Sequence, residues 1–124
     1  MHLQESGEMY LETILILVKR NGTVRSTDIA DEMNYSKPSV SRAMGLLKAG
    51  GYIFIDSDGF INLTESGLYH AEKILERHTV LTDILTVIGV DPKIAATDAC
   101  KMEHVISDAS FDAIKKYLDS INQK

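Results

Sequence analysis

The sequence predicts a mainly α protein in which one short β-hairpin separates three N-terminal helices from three C-terminal helices. Apolar residues recur at spacings of three and four through most of the 124 residues, as they do on amphipathic helices. An Asp-Gly pair, Asp58-Gly59, lies between two short runs rich in β-branched and aromatic residues, which is typical of a hairpin. No repeat and no Pro/Gly/Ser-rich linker interrupts the chain, so we expect two modules, residues 1–63 and 64–124, that share one body.

The first two helices are predicted from periodicity and from their ends. One helix runs over residues 8–19, and its apolar face is formed by Leu11, Ile14, Leu15 and Val18. Asn21-Gly22 is expected to end it. Ser26 or Thr27 is the expected N-cap of a short second helix over residues 28–33.

The third helix and the hairpin complete the N-terminal module. Ser36 as N-cap and Pro38 in the first turn predict a helix that ends at Gly50-Gly51. Strands are then expected over residues 52–55 and 60–63. This order of elements is that of a winged helix-turn-helix, whose third helix enters the major groove of DNA while the hairpin contacts the backbone nearby.

The C-terminal module is predicted to contain three helices. The first of them, the fourth of the chain, spans residues 64–88 and ends at Gly89. Asp91-Pro92 begins the fifth helix and Ser107-Asp108 begins the last one. Apolar residues of this last helix are expected either in a dimer interface or in the core of the chain itself: Phe111, Ile114 and Leu118.

Composition excludes several classes of protein. The formal net charge of −5 and the pI of about 5.3 argue against general, charge-driven binding to nucleic acid or to a membrane surface. No apolar run reaches the roughly 18–20 residues that a membrane span needs. The one cysteine cannot form a disulfide within the chain, so we expect a cytoplasmic protein in a reducing compartment.

A local basic segment nevertheless predicts binding to double-stranded DNA. Residues 34–55 contain no Asp or Glu. The candidate contacts lie on and just before the third helix, where hydroxyls and backbone N–H groups can hold phosphates: Ser36, Lys37, Pro38, Ser39, Ser41 and Arg42. Arg42 is the candidate for a base edge. The alternative is a protein-binding module with ordinary solvated lysines.

This DNA binding is predicted to be conditional. Residues 1–63 carry six basic and eight acidic side chains, which leaves a net charge of −2. The attraction of such a module for phosphate is weak unless something else strengthens it.

Cys100, Glu103 and His104 form a candidate metal half-site. At spacings of three and four their thiolate, carboxylate and imidazole share one helical face, away from the apolar residues Ile94, Ala95, Ala99, Met102, Val105 and Ile106. Two alternatives are a chance surface cluster and a buried cysteine that acts as a small hydrophobe. A nucleophilic Cys–His pair, as in a hydrolase, is a third, but no oxyanion-stabilising group accompanies it. A redox switch at Cys100 in a metal-free regulator is a fourth.

Two further places offer ligands. Met9 and Glu12 lie one turn apart on the first helix, away from its apolar face, and could complete a site built from two helices. His78 lies within the apolar stripe of the long helix, between Leu75 and Leu81. A lone histidine in such a position is more often a core residue than a ligand.

At this point the chain resembles the metal-dependent repressors that include the diphtheria toxin repressor and the manganese transport regulator. The segments that carry the resemblance are Glu-Met-Tyr-Leu-Glu (8–12), Asp-Ile-Ala (28–30), Ser-Lys-Pro-Ser-Val-Ser (36–41), Leu-Thr-Glu-Ser-Gly (63–67), Ile-Gly-Val-Asp (88–91) and Asp-Ala-Cys-Lys-Met-Glu-His-Val-Ile-Ser-Asp (98–108). The resemblance implies a homodimer with an N-terminal winged helix-turn-helix, residues 1–63, and a helical dimerisation and metal-binding region, residues 64–124. It also implies the short form, without an SH3-like domain.

The same resemblance implies a ligand set and a function. The implied metal ligands are Met9, Glu12, His78, Cys100, Glu103 and His104. Thr82 and Ala96 stand where the diphtheria type has ligands of a second metal, so we expect that version of the second site to be lost, while a second metal bridged by Glu103, as in the manganese type, stays open. The expected function is repression at operator DNA with a divalent metal as co-repressor, Fe²⁺ favoured and Mn²⁺ a close second, because thiolate and thioether ligands suit iron or later metals. The metal would tie the first helix to the fifth.

Overall fold

The computed structural model describes residues 5–122, and this part of the chain contains six helices and one antiparallel pair of strands. In chain order the elements are α1 (Glu5–Asn21), α2 (Ser26–Met33), α3 (Lys37–Ala49), β1 (Ile53–Ile55), β2 (Ile61–Leu63), α4 (Glu65–Val87), α5 (Pro92–Met102) and α6 (Asp108–Asn122). This confirms a mainly α fold with an N-terminal winged helix-turn-helix and a helical C-terminal region. None of the described helices is long and apolar enough to cross a membrane.

The residues form two compact units that divide after Glu72, within α4. We call them the N-terminal unit and the C-terminal unit. The sequence suggested a division between residues 63 and 64, before α4 begins. That boundary, between a DNA-binding region and a dimerisation and metal-binding region, stays a prediction.

The helices of the N-terminal unit begin and end through local hydrogen bonds. Ser36 caps α3 as expected, since its hydroxyl oxygen accepts the N–H of Ser39 at 3.3 Å. The start of α2 differs from the prediction: Arg25, not Ser26 or Thr27, is the N-cap. The reason is the Asp28 carboxylate, which accepts the Arg25 N–H at 2.8 Å and so fixes the first turn from inside the helix.

The hairpin is held by one carboxylate in its turn. Strand β1 pairs with β2 in the register Ile53 to Leu63, and each strand is one residue shorter at its start than predicted. Asp56 Oδ1 accepts the N–H groups of Asp58 and Phe60, at 2.9 and 3.0 Å. Both hydrogen bonds lower the pKa of Asp56 below its usual value, and the bond from Phe60 has the larger effect. Gly59 has φ +84°, which favours glycine there.

The first turn of α4 packs closely on the chain that precedes β1. The Thr64 hydroxyl donates to the carbonyl of Gly51 at 2.6 Å and accepts the N–H of Gly67 at 3.1 Å. A Cβ on Gly67 would lie 1.9 Å from the carbonyl oxygen of Tyr52. Only glycine fits there, which gives the Leu-Thr-Glu-Ser-Gly segment a structural role.

The C-terminal unit contains α5, α6 and most of α4. Asp91 caps α5, as its carboxylate accepts the N–H groups of Lys93 and Ile94. Phe111 and Leu118 of α6 pack on Val80 of α4, with partly buried Ile84, Ile106, Ile114 and Ile121 around them. Of the two sites expected for the apolar residues of α6, these contacts show the core of the chain itself.

Candidate metal centre

Cys100, Glu103 and His104 come together where α5 ends. Each can offer one ligand atom, and the three atoms lie within 4.8 Å of one another. The helix is shorter than predicted, because α5 stops at Met102 and Glu103 is its C-cap. Glu103 nevertheless keeps helical angles, φ −60° and ψ −26°, and donates its N–H to the carbonyl of Ala99. The predicted convergence of the three side chains therefore survives the early end of the helix.

His78 of α4 joins this cluster. Its Nδ1 lies 3.3 Å from Oε2 of Glu103, and Nε2 of His104 lies 3.3 Å from Oε1 of the same carboxylate. The carboxylate of Glu103 therefore lies between two imidazoles. This contact makes His78 available as a ligand, although its position in an apolar stripe suggested a core residue; its role as a ligand stays a prediction from the resemblance.

The cluster is more deeply buried than the sequence suggested. The side chains of Glu103 and His104 are both 0% exposed. We expected the three residues to lie away from the apolar face, and that expectation is wrong for Glu103. Ile94 and Val105, which were assigned to the apolar face, are instead 56% and 76% exposed. Glu103 points toward His78 of α4 and is buried there, whereas Ile94 and Val105 face solvent.

The donor set fits a divalent transition metal. Both carboxylate oxygens of Glu103 are buried and accept no hydrogen bond from the described residues. A buried carboxylate without donors is costly in free energy, and a cation among its neighbours removes that cost. Thiolate sulfur, imidazole nitrogen and carboxylate oxygen together suit iron and the later first-row metals.

Sequence reasoning missed Arg77, which lies next to His78 on α4. It is 7% exposed, and its guanidinium donates to the backbone carbonyls of Glu103 and Ile106, at 3.2 and 2.7 Å, and to the Asp108 carboxylate. The signal was present in the sequence, because Ile74, Arg77 and Leu81 share one helical face. A charged residue on an apolar face requires buried partners.

Met9 and Glu12 belong to the N-terminal unit. They lie one turn apart on α1, where the Met9 carbonyl accepts the Thr13 hydroxyl at 2.9 Å and Glu12 is buried. Their place in the ligand set stays a prediction from the resemblance. In the C-terminal unit the Thr82 hydroxyl donates to the carbonyl of His78 at 2.7 Å, an ordinary bond within a helix.

The predicted DNA contacts lie on one exposed end of α3. All six are exposed: Ser36, Lys37, Pro38, Ser39, Ser41 and Arg42. The Ser36 hydroxyl also donates to the hydroxyl of Ser39 at 2.8 Å, so these two side chains cap the helix as well as face solvent. The use of all six in binding DNA stays a prediction.

Two family models match the chain. Residues 2–59 match the iron dependent repressor N-terminal DNA binding domain. Residues 64–124 match the iron dependent repressor metal binding and dimerisation domain.

Individual relatives agree with these models. The uncharacterized HTH-type transcriptional regulator MJ0568 of Methanocaldococcus jannaschii is 32% identical over 124 residues, which cover 98% of this chain and 99% of that protein. The transcriptional regulator MntR of Escherichia coli O6:H1 is 33% identical over 116 residues, which cover 94% of this chain and 75% of the relative. Both relatives are transcriptional regulators and not enzymes, which disfavours a hydrolase built on Cys100 and His104.

A solved structure supports the fold independently. The structure of the manganese regulator SloR matches 96% of this chain with a TM-score of 0.80 and 23% identity. At this identity the likeness concerns the fold. The chain spans about half of that structure, 55% of its length.

Proposed function

The chain belongs to the iron-dependent repressor family, and from this premise we propose that it represses transcription by binding operator DNA as a homodimer when it holds a divalent metal. The observation that carries the proposal is the Glu103 carboxylate, which is wholly buried between His78 and His104. The possible ligand atoms of Cys100, Glu103 and His104 lie within 4.8 Å of one another. Such a regulator acts in the cytoplasm, where the DNA is.

Four residues of the C-terminal unit would hold the metal: His78, Cys100, Glu103 and His104. Met9 and Glu12 are added by the resemblance. A bound ion would neutralise the Glu103 carboxylate and draw the side chains around it into one arrangement. The residues themselves supply the specificity, because the thiolate of Cys100 favours Fe²⁺ over Mn²⁺ relative to an all-carboxylate set. We therefore propose Fe²⁺ as the signal, with Mn²⁺ a close second.

The charge of the protein explains why binding would be conditional. The exposed end of α3 offers Lys37 and Arg42 to DNA, but the N-terminal module carries a net charge of −2. Electrostatic attraction alone is then weak. Lower negative charge and less conformational freedom in the metal-bound protein would both reduce the free-energy cost of binding the operator.

Exposed apolar side chains support the homodimer. In the C-terminal unit five large ones are more than half exposed: Val87, Ile88, Ile94, Val105 and Tyr117. When such side chains form one contiguous patch, they mark a protein–protein interface. The family model for this region is a dimerisation domain, and two copies of α3 would then read two half-sites of an operator.

Fluorescence anisotropy on the DNA upstream of the gene tests the metal requirement. Anaerobic titrations with Fe²⁺, with Mn²⁺ and with a chelator at one ionic strength should give binding only with metal. Glu103→Ala and His104→Ala should abolish the metal response and leave the dimer folded. Asp98→Ala, on an exposed position of α5, is the matched control and should respond like the unmodified protein. Equal binding with the chelator would contradict the proposal and favour a metal-free regulator with Cys100 as a redox switch.

Arg42 is tested on the same DNA. Arg42→Ala should weaken binding and reduce discrimination between operator and unrelated DNA, because the loss of a base contact costs about 1–3 kcal/mol. Lys48→Ala, at the other end of α3, is the control and should leave that discrimination unchanged. If Arg42→Ala leaves DNA binding unchanged, the protein-binding alternative for the N-terminal module gains support.

A further inference from the structure

Arg77 connects α4 to the segment that carries two candidate ligands. Its Nη1 donates to the carbonyl oxygens of Glu103, at 3.2 Å, and Ile106, at 2.7 Å. Its Nη2 donates to Oδ1 of Asp108, an atom that Lys73 also approaches to 3.3 Å. All three acceptors lie 26 to 31 residues further along the chain. One buried guanidinium therefore spans the whole connection between α5 and α6.

Turn hydrogen bonds and the packing of Ile106 fix part of the path of this connection. A helix leaves its last carbonyls without intrahelical donors, and buried carbonyls without donors are costly. Within the connection, Val105 and Ile106 both donate their N–H groups to the carbonyl of Met102. The carbonyls of Glu103 and Ile106 are held instead by Arg77, which serves as the donor that a longer helix would have supplied.

The position of Arg77 on α4 gives these bonds a consequence for the metal centre. Arg77 precedes His78 in the same turn, so one turn of α4 both presents an imidazole and holds the backbone of Glu103. The side chain of Glu103 reaches back to Nδ1 of His78, 3.3 Å away.

We propose that Arg77 is a positioning residue of the metal centre, which holds residues 103–106 so that Glu103 and His104 meet His78 and Cys100 before metal binds. The inference rests on the proposed function, because it assumes that these four residues bind the metal. Groups that orient metal ligands from outside typically change metal affinity 10- to 100-fold when removed. A role in stability alone would leave the affinity of the folded protein unchanged.

The test compares Arg77→Lys with Lys73→Met. Lysine keeps the positive charge but lacks the planar fork that reaches two carbonyls and a carboxylate together. Lys73 lies one turn before Arg77 and contacts the same Asp108 oxygen, yet no bond to either carbonyl involves it. The pair therefore separates the loss of the carbonyl bonds from the loss of an ion pair with Asp108.

Anaerobic Co²⁺ titration against a competing chelator gives the affinity, and the thiolate-to-cobalt absorption band reports Cys100 in the site. Arg77→Lys should weaken Co²⁺ binding about 10- to 100-fold and alter that band, while Lys73→Met should match the unmodified protein. In the metal-free protein, the amides of residues 103–107 should exchange with solvent faster in Arg77→Lys. The amides of residues 113–119 in α6 should exchange at unchanged rates.

Asp108→Ala keeps the inference testable if Arg77→Lys does not fold. Asp108 is exposed, so this substitution spares the core, but it releases Nη2 of Arg77. Asp108→Ala should weaken Co²⁺ binding several-fold and Lys73→Met should not.

Three outcomes overturn the inference, and they separate it from the proposed function. Unchanged affinity and exchange in Arg77→Lys, with Co²⁺ bound normally by the unmodified protein, would refute the positioning role alone. Equal weakening in Arg77→Lys and Lys73→Met would show that the ion pair with Asp108, not the carbonyl bonds, sets the affinity. Absence of Co²⁺ binding by the unmodified protein would refute the metal centre and the inference together.

Discussion

The N-terminal and C-terminal units hold their functional groups in opposite ways. On α3 the candidate DNA contacts are exposed, and the cap that orders them joins Ser36 to Ser39, three residues away. In the C-terminal unit the carboxylate of Glu103 is buried, and its backbone carbonyl accepts a hydrogen bond from Arg77, 26 residues earlier. Function and stability should therefore be separable at the exposed α3 residues that cap nothing, such as Arg42, and coupled at the candidate metal centre. The predictions below test this difference.

Gly67→Ala should give the largest effect, because the residue lies against the backbone of Tyr52 with no room for a side chain. The new Cβ would lie 1.9 Å from the carbonyl oxygen of Tyr52, so α4 or the segment before β1 must move. We expect a loss of about 3 kcal/mol or more in the free energy of unfolding, at or above the upper end of what overpacking usually costs. Urea denaturation of the metal-free protein measures it.

Gly45→Ala is the control for that substitution. A Cβ on Gly45 meets no heavy atom within 4 Å, and the residue lies inside α3. Alanine should stabilise the helix there by about 0.5–1 kcal/mol. A loss of stability in Gly45→Ala similar to that in Gly67→Ala would show that the contact with Tyr52 is not the cause.

Glu103→Gln should show the coupling of function and stability at the metal centre. The amide removes a buried charge whose two oxygens accept no hydrogen bond from the described residues. We expect the metal-free protein to gain about 1–2 kcal/mol, since a buried charged group without hydrogen-bond donors costs more free energy than a neutral one. Thermal unfolding with and without Mn²⁺ measures both effects, and added metal should stabilise only the unmodified protein. Lower metal-free stability in Glu103→Gln would mean that the imidazoles already compensate the charge.

Ser36→Ala should cost about 1 kcal/mol, the usual value of an N-cap hydroxyl. The bond lost is the one that the Ser36 hydroxyl accepts from the N–H of Ser39. Ser41→Ala, on an exposed position of the same helix, is the control and should leave stability within about 0.5 kcal/mol of the unmodified protein. Urea denaturation of both variants measures the difference, and an equal effect in the two would remove the capping role from Ser36.

The smallest effect should come from Asp108 and should depend on pH. Lys73, and then Arg77, hold the pKa of Asp108 below its ordinary value. Because the folded pKa is the lower one, Asp108 stabilises the protein fully above the ordinary carboxyl pKa of about 3.9. This stabilisation is lost as the pH falls through the folded pKa. The difference in melting temperature between the unmodified protein and Asp108→Asn should therefore be constant near neutral pH and vanish in acid; a difference that persists in acid would exclude the ion pairs as its cause.

The sequence predicted features that depend on nearby residues better than features that depend on distant ones. The sequence predicted two helix caps and one turn correctly, because each depends only on residues a few positions away: Ser36, Asp91 and the Asp58-Gly59 turn. The predicted N-cap of α2 was wrong for a local reason. The Asp28 carboxylate accepts the N–H of Arg25, so Arg25 is the N-cap in place of Ser26 or Thr27.

At the metal centre the spacing of Cys100, Glu103 and His104 predicted that these residues converge. It could not predict the burial of Glu103, because that depends on contacts with His78 of α4, which is distant in the sequence. The role of Arg77 was out of reach of local rules for the same reason, although a charged residue between Ile74 and Leu81 already required a partner.

Cys100 is the only cysteine of the 124 residues and sits within the candidate ligand cluster. A thiol reagent added to cell extract can therefore label this protein at no place other than its candidate metal centre. If Cys100 binds the metal as proposed, the fraction of Cys100 left unlabelled, read by mass spectrometry on the intact chain, gives the fraction of molecules that carry metal under a given growth condition. The chain would then report its own metal occupancy, with no tag or fluorophore to disturb the site.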